Sequence, residues 1–242
     1  MIKKIVLSTL LISSLTLAAE PDTKKDDALI THTELGYIGT TGNTKTTTFN
    51  LDTNLKKGFD RHIFKLLFDG QYASDNDVAS KNKYYLELTY DYEFTDKLAF
   101  NYIIGYKEDK FSAFDSQFFT GPGIKHKTIV SDVHNLTLEA SVLYSSDDYY
   151  DPAIKTDSYS AYRAKGSYNW QMLKNLKFEQ ELSYRSSFEN ADKYFVYSKS
   201  ALASKISDIF SAGLSYKIDY VNQSGTKKHT DTTLTANLIM DY

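Results

Sequence analysis

The sequence predicts an all-β fold, a twelve-stranded antiparallel up-and-down transmembrane β-barrel, and three observations lead to it. First, from Thr31 onward the chain of 242 residues forms a succession of segments in which apolar and polar residues alternate, which gives each strand one apolar and one polar face. Second, the apolar faces tend to begin and end with aromatic residues, as they do at the two water interfaces of a bilayer. Third, short and longer connections alternate, as between the two ends of outer-membrane barrels.

The composition suits aromatic-rich strands. There are 20 Tyr and 14 Phe against 3 Pro, so strand formers are frequent and strand breakers are rare. Mean hydropathy is -0.43, and no uninterrupted apolar run reaches the length of a membrane helix, which argues against a helical membrane protein. Because the chain has no cysteine, its rigidity is expected to come from strand hydrogen bonds and not from disulfides.

The first residues predict export. Met1–Ala19 has the layout of a secretory signal peptide, with Lys3 and Lys4 at its start, a short apolar core and small residues at its end. Residues 20–30 are expected to form a flexible periplasmic leader, and residues 31–242 the barrel. Removing Lys3 and Lys4 from the 28 basic residues leaves 26 against 31 acidic ones, a net charge of -5, which argues against a nucleic-acid partner.

The first four strands alternate clearly. Strand one is expected near 32–41, strand two over 45–57, and a polar loop over 74–81 separates strands three and four. Strand four shows the pattern best. Its outward residues are Tyr84, Leu86, Leu88, Tyr90, Tyr92 and Phe94, and its inward residues are Tyr85, Glu87, Thr89, Asp91 and Glu93.

The next four strands are interrupted more often. Loops are expected over 108–114 and 145–156, on either side of strands six and seven. Strand six contains Gly121-Pro122-Gly123, and because proline cannot donate to the ladder, a bulge or bend is predicted there. Strand eight returns to alternation, with Arg163 and Lys165 on its polar face.

The last four strands include the weakest and one of the clearest. Strand ten, over 193–206, has an ambiguous alternation. The final segment, His229–Tyr242, alternates back from its terminal tyrosine and is broken only by Ile239. An even strand count places both termini at the periplasmic side, where Tyr242 is expected to meet the barrel insertion machinery.

Several short motifs resemble a known family. They are Glu34-Leu35-Gly36-Tyr37, Thr41-Gly42-Asn43-Thr44, Tyr90-Asp91-Tyr92, Gly105–Phe111 and Gly121-Pro122-Gly123-Ile124. The sequence from about Glu34 to Tyr242 is similar to the family called domain of unknown function 481, whose members are often labelled salt-induced outer-membrane proteins. The resemblance implies a Gram-negative outer-membrane barrel, and it supplies no catalytic residue and no substrate.

The lumen is the predicted functional region. Twelve tilted strands give a backbone diameter of roughly 24 Å, and charged residues on the polar faces are predicted to line it. These candidates are Lys65, Asp69, Glu87, Asp91, Glu93, Lys107, Glu139, Arg163, Lys165, Glu179, Glu181, Arg185, Lys217 and Asp219. They could line a narrow passive channel for small solutes or ions. They could equally pair with one another and seal the lumen of a structural, salt-response barrel.

Other chemistry leaves little trace in the sequence. The five histidines, His32, His62, His126, His134 and His229, lack an oriented nucleophile, so no enzyme activity is expected. The sequence shows no metal spacing or cofactor motif, and the oligomeric state stays open. Outer-membrane lipid and lipopolysaccharide are the expected partners. The acidic segments Asp75–Asp77 and Asp147–Asp151 could share divalent cations with lipopolysaccharide phosphates.

Overall fold

Twelve strands form one closed antiparallel barrel in the computed structural model, which describes residues 28–40, 46–222 and 229–242. Each strand pairs with its neighbours in the chain, and the last pairs with the first. The strands are β1 (Ile30–Thr40), β2 (Thr46–Phe59), β3 (His62–Asp75), β4 (Val78–Glu93), β5 (Leu98–Asp109), β6 (Phe114–Val130), β7 (His134–Tyr149), β8 (Asp157–Leu173), β9 (Leu176–Ser187), β10 (Tyr194–Lys205), β11 (Phe210–Asn222) and β12 (Thr230–Asp241). The predicted fold class is therefore confirmed.

The barrel closes between β1 and β12. Their register runs from His32 opposite Asp241 to Gly36 opposite Asn237. The Thr31 amide donates to the Tyr242 carbonyl at 2.6 Å and the Tyr242 amide donates to the Thr31 carbonyl at 3.0 Å. Closure leaves no open strand edge, as a barrel in hydrocarbon requires. The end that carries Ile30 and Tyr242 is called the terminal end below, and the opposite one the far end.

Polar residues lie inside the barrel and apolar residues outside, the reverse of a soluble protein. Among the described residues, 25 buried residues are polar or charged and nine are hydrophobic. On the outside, Leu214 is 56% exposed and Leu234 is 67% exposed. No helix in the described ranges is long and apolar enough to cross a membrane. The outward face is thus an apolar surface that only a nonpolar surrounding would cover.

Aromatic residues form contacts at both ends of the outward face. At the terminal end, His62 Nδ1 lies 2.8 Å from the Tyr90 hydroxyl, and His134 Nδ1 lies 2.8 Å from the Tyr168 hydroxyl. At the far end, ring contacts with centroid distances of 5.6 to 6.0 Å run from β8 to β11. Their members are Tyr162, Tyr184, Tyr194 and Tyr220. Such rings are typical of the two interfaces of a bilayer.

The predicted loops at the far end are too long. In place of a loop over 74–81, β3 and β4 are joined by Asn76 and Asp77, whose φ angles of 47° and 65° form a tight turn. In place of the loop over 145–156, β7 continues to Tyr149, and β5 likewise extends to Asp109. The polar composition of these segments suggested loops. Backbone pairing nevertheless continues through them, because beyond the band of apolar outward residues, called the apolar belt below, polar residues can lie on both faces of a strand.

The bulge predicted at Gly121-Pro122-Gly123 is wrong. The register between β6 and β7 is the same on both sides of this motif, and the irregularities lie between Phe114 and Ser116 and between Lys127 and Ile129. A Cβ atom at Gly121 would lie 2.1 Å from the Val142 carbonyl oxygen. The motif therefore allows close approach of two backbones without a shift in the strand register.

The ambiguous alternation of strand ten has a structural reason. Lys199 is opposite Glu181, so the inward face of β10 carries Phe195 and Tyr197 while Ser198 and Ser200 lie outward. Apolar and polar residues thus occur on both faces. The predicted signal peptide, most of the leader, the turn at 42–44 and the connection at 223–228 lie outside the described residues.

Candidate functional site in the barrel lumen

The barrel interior is filled by charged side chains that contact one another. The alternation of each strand directs its polar residues inward, and closure brings the polar faces of distant strands together. A buried charge is tolerated when an opposite charge and hydrogen bonds compensate it. Because the paired side chains come from different strands, their ion pairs connect those strands through the lumen.

One group of charges lies near the terminal end, on β3, β4, β6 and β7. Asp91 is 1% exposed and contacts Lys65 Nζ at 3.1 Å and Lys125 Nζ at 2.6 Å. Lys125 also lies 3.3 Å from Glu139. The lysine at 125, which was not predicted as a site residue, thus connects two predicted carboxylates on different strands.

A second group connects the end of the chain to its beginning. Lys199 Nζ, on β10, donates to Glu34 Oε1 at 2.5 Å and to Asp52 Oδ2 at 2.9 Å. Lys217 Nζ, on β11, contacts Asp52 at 3.3 Å and also Asp69. These bonds span from β10 and β11 to β1, β2 and β3 through the lumen, past the seam between β1 and β12.

Two ion-pair sets cross the lumen more widely. Asp219, on β11, contacts Lys83 Nζ at 2.6 Å and Lys107 Nζ at 3.3 Å. Since Lys107 is on β5, six strands from β11 in a ring of twelve, this contact joins opposite walls. Arg163 Nη1, on β8, donates to Glu87 Oε2, on β4, at 2.7 Å. The paired side chains therefore extend across the width of the lumen.

The remaining predicted charges except Arg185 pair with residues on the same or nearby strands. Lys165 contacts Glu181 at 3.0 Å. Near the terminal end, Glu93 contacts Lys127 at 2.7 Å and Glu179 contacts Lys177 at 2.5 Å. A cavity of about 330 Å³ opens beside the last pair and is also lined by Lys174, Lys205, Asp208 and Asp241.

The lumen also contains a cluster of apolar side chains, which the alternation did not predict. Ile103, Phe119, Leu143, Tyr159 and Ala161 pack together on β5 to β8. The sequence carried a signal for part of this cluster, because Ile103-Ile104 and Val142-Leu143 place apolar residues on both faces of their strands. The cluster borders the charged residues, since Arg163 Cζ lies 5.8 Å from the ring centre of Phe119.

Arg185 lies between aromatic rings and has no ionic partner. Its Cζ atom is 4.6 Å from the ring centre of Phe119 and 4.4 Å from that of Phe195. The residue is 8% exposed, and its Nη1 atom is enclosed without a hydrogen-bond partner. Together with these rings, Arg185 lines a chamber of about 190 Å³ towards the far end.

The acidic segment at the far end does not lie wholly on the surface. Asp147 is 0% exposed, and it contacts Lys193 Nζ at 2.6 Å and accepts a hydrogen bond from the Tyr159 hydroxyl at 3.0 Å. Lys193 also contacts Asp157 at 2.8 Å. The expected sharing of a divalent cation by Asp147–Asp151 therefore fails at Asp147, because that carboxylate points into the barrel and already has a lysine partner.

The histidines are dispersed over the barrel ends and do not form a shared site. His32 contacts Asp241 at 2.6 Å and Glu34 at 3.2 Å, and His62 and His134 belong to the aromatic contacts described above. Over residues 28–40, 46–222 and 229–242, no group of three or more metal-ligating side chains could hold a metal ion.

A closed barrel with an apolar outside, aromatic contacts at both ends and a charged lumen defines the class of outer-membrane β-barrels. Residues 33–242 match the family model described as "Protein of unknown function, DUF481". The chain belongs to that family, as its motifs suggested.

The chain is also similar to individual proteins. The chain is 25% identical over 208 residues to the uncharacterized protein YdiY of Escherichia coli (strain K12), covering 84% of this chain and 79% of that protein. An outer membrane channel from Pseudomonas putida F1 superposes with a TM-score of 0.54 at 9% identity, covering 92% of this chain and 100% of that one. The NanC porin gives a TM-score of 0.47 at 12% identity, covering 88% and 98%. At such identities the structural likeness concerns the fold alone.

Proposed function

We propose that this protein is an exported, non-enzymatic outer-membrane barrel whose lumen is sealed by crossing ion pairs. Met1–Ala19 would direct export, the terminal end would face the periplasm, and the outward face would contact lipid and lipopolysaccharide. The observation that supports a sealed lumen best is the position of Asp219, between Lys83 at 2.6 Å and Lys107 at 3.3 Å. These contacts connect walls on opposite sides of the barrel.

The energetics favour a persistent seal. Lys83 is 5% exposed, and a charge in such a position is held strongly by its partner because water does not screen it. Breaking a buried pair by removing one partner is destabilising by about 3–5 kcal/mol, since the other charge stays buried without compensation. Asp219 therefore needs its lysine partners, and while they are paired with it their side chains extend across the lumen in the path of solutes.

Conductance in planar bilayers tests the proposal. The unmodified protein is expected to show no steady openings over a range of salt concentrations. The double variant Lys83→Gln, Lys107→Gln removes both cations from Asp219, and it is expected to conduct. Lys97→Gln is the control, because Lys97 is exposed in the turn between β4 and β5 and lines neither cavity. Steady openings of the unmodified protein would show that the lumen is not sealed.

A narrow passive channel is the second candidate. It is favoured by two cavities, about 190 Å³ within the lumen and about 330 Å³ at the terminal end. In that case the ion pairs form a selectivity region. Openings of the unmodified protein whose ion selectivity changes in Asp219→Asn would support the channel against the sealed barrel.

A further inference from the structure

We propose that the chamber beside Arg185 binds a small carboxylate that carries an apolar or aromatic group. The guanidinium of Arg185 is the feature that leads to this inference. It forms no ion pair with the part of the chain that the structure describes, and its Nη1 atom has no hydrogen-bond partner there, although the residue is only 8% exposed. A buried cation without an anionic partner is unfavourable, and an anion in the chamber would supply one.

Two aromatic rings hold the guanidinium in place. Arg185 Cζ lies 4.6 Å from the ring centre of Phe119 and 4.4 Å from that of Phe195, distances at which a cation is attracted to the ring face. Phe119 also stacks on Tyr85 with a centroid distance of 6.3 Å. The cation is thus fixed in orientation before any ligand arrives, and less ordering is needed on binding.

The other charges around the chamber are already used. Five carboxylates and six cationic side chains line it. Each of the five carboxylates contacts a lysine or an arginine other than Arg185. These carboxylates are Asp52, Asp69, Glu87, Glu181 and Asp219. Arg185 is the cation left over, so the chamber has the charge to accept one monoanion. Arginine binds a carboxylate with two parallel hydrogen bonds when the geometry permits.

The size and lining of the chamber indicate the rest of the ligand. Its volume is about 190 Å³, and a cavity of about 150 Å³ lined by apolar side chains is large enough for benzene. Phe119, Phe195, Tyr85 and Tyr197 contribute to the lining. An aromatic ring or short alkyl group bearing a single carboxylate matches both the space and the charge, whereas a multiply charged phosphate exceeds the charge that is available.

Binding of benzoate, measured by calorimetry on the full-length protein in detergent, tests this inference. The unmodified protein is expected to bind benzoate at least tenfold more tightly than benzamide, its neutral analogue of the same shape. Arg185→Gln is expected to weaken benzoate binding at least tenfold. Lys177→Gln removes an equal charge at the terminal end, and is expected to bind like the unmodified protein.

Three results would overturn the inference. They are the absence of benzoate binding by the unmodified protein, equal affinity for benzoate and benzamide, and unchanged affinity in Arg185→Gln. If Arg185→Gln does not fold, the comparison of benzoate with benzamide binding to the unmodified protein still tests whether the chamber prefers a carboxylate. Benzoate binding and conductance are separate measurements, so binding that depends on Arg185 can be detected whether or not the lumen conducts.

Discussion

At the scale of single residues, Gly105 determines where Phe119 lies. A Cβ atom at position 105 would be 2.2 Å from the Phe119 ring, so the ring rests directly on the β5 backbone. Phe119 is 6% exposed and has little room to move. Gly105→Ala is therefore expected to lower the free energy of unfolding by about 1–3 kcal/mol, as overpacking of a tight interior does.

The measurement is the unfolding midpoint in detergent, followed by the gel shift between folded and heated protein. Gly166→Ala is the matched control. Position 166 is also within a strand, but a Cβ atom there would only make ordinary contact with Leu138 at 3.6 Å. Equal midpoints for the two variants would show that Phe119 is not constrained by Gly105. A further consequence is that Gly105→Ala should also weaken benzoate binding, because Phe119 flanks Arg185.

At the scale of strands, the sequence predicts the elements better than their ends. The alternation of β4 and β12 indicated strands because one face of each meets a nonpolar surrounding. Beyond the apolar belt this constraint stops, so β3 and β7 continue through residues such as Asp75 and Asp147 that the composition assigned to loops. A strand boundary depends on backbone pairing, and alternation does not report it.

The partners within the lumen could not be predicted in the same way. Alternation assigned Glu87 and Arg163 to polar faces, but they are 76 positions apart, and their contact depends on barrel diameter and strand stagger. Lys199 was missed because β10 carries apolar residues inward and serines outward. Arg185 was among the predicted lumen residues, but its lack of an ionic partner is visible only once every carboxylate around it has been assigned.

The seam between β1 and β12 leads to a prediction about strands. Five residue pairs join these strands, against eleven between β1 and β2. Lys199 reinforces the seam from inside, since it connects β10 to Glu34 on β1 and Asp52 on β2. Lys199→Met is therefore expected to speed hydrogen exchange of β1 amides at least tenfold, while β5 and β6 amides are unaffected.

Lys177→Met is the control for that experiment. Lys177 pairs at 2.5 Å with Glu179 on its own strand, so its loss removes a lysine from the lumen without disconnecting any strands. Uniform acceleration over all strands in Lys199→Met would contradict a role at the seam and would indicate a general loss of stability instead.

At the scale of the whole molecule, the distribution of polarity requires a nonpolar surrounding. Val142 lies near the middle of β7 and is 56% exposed on the outward face. If this face meets lipid, Val142→Arg places a charge near the bilayer midplane and is expected to destabilise the folded barrel by about 2–4 kcal/mol. If the face met water, the same change would be nearly neutral.

The control is Val133→Arg, in the turn that joins β6 to β7 at the terminal end, where the side chain is 46% exposed. At the depth of an interface an arginine costs only about 0–1 kcal/mol. The free energy of unfolding in phospholipid vesicles should therefore differ between the two variants, and Val142→Arg should be much the less stable. The same two variants in detergent should differ less, because a micelle deforms around a charge more easily than a bilayer. Equal stability of the two variants in vesicles would contradict a membrane-spanning barrel, since both side chains are similarly exposed and only the depth in lipid distinguishes them.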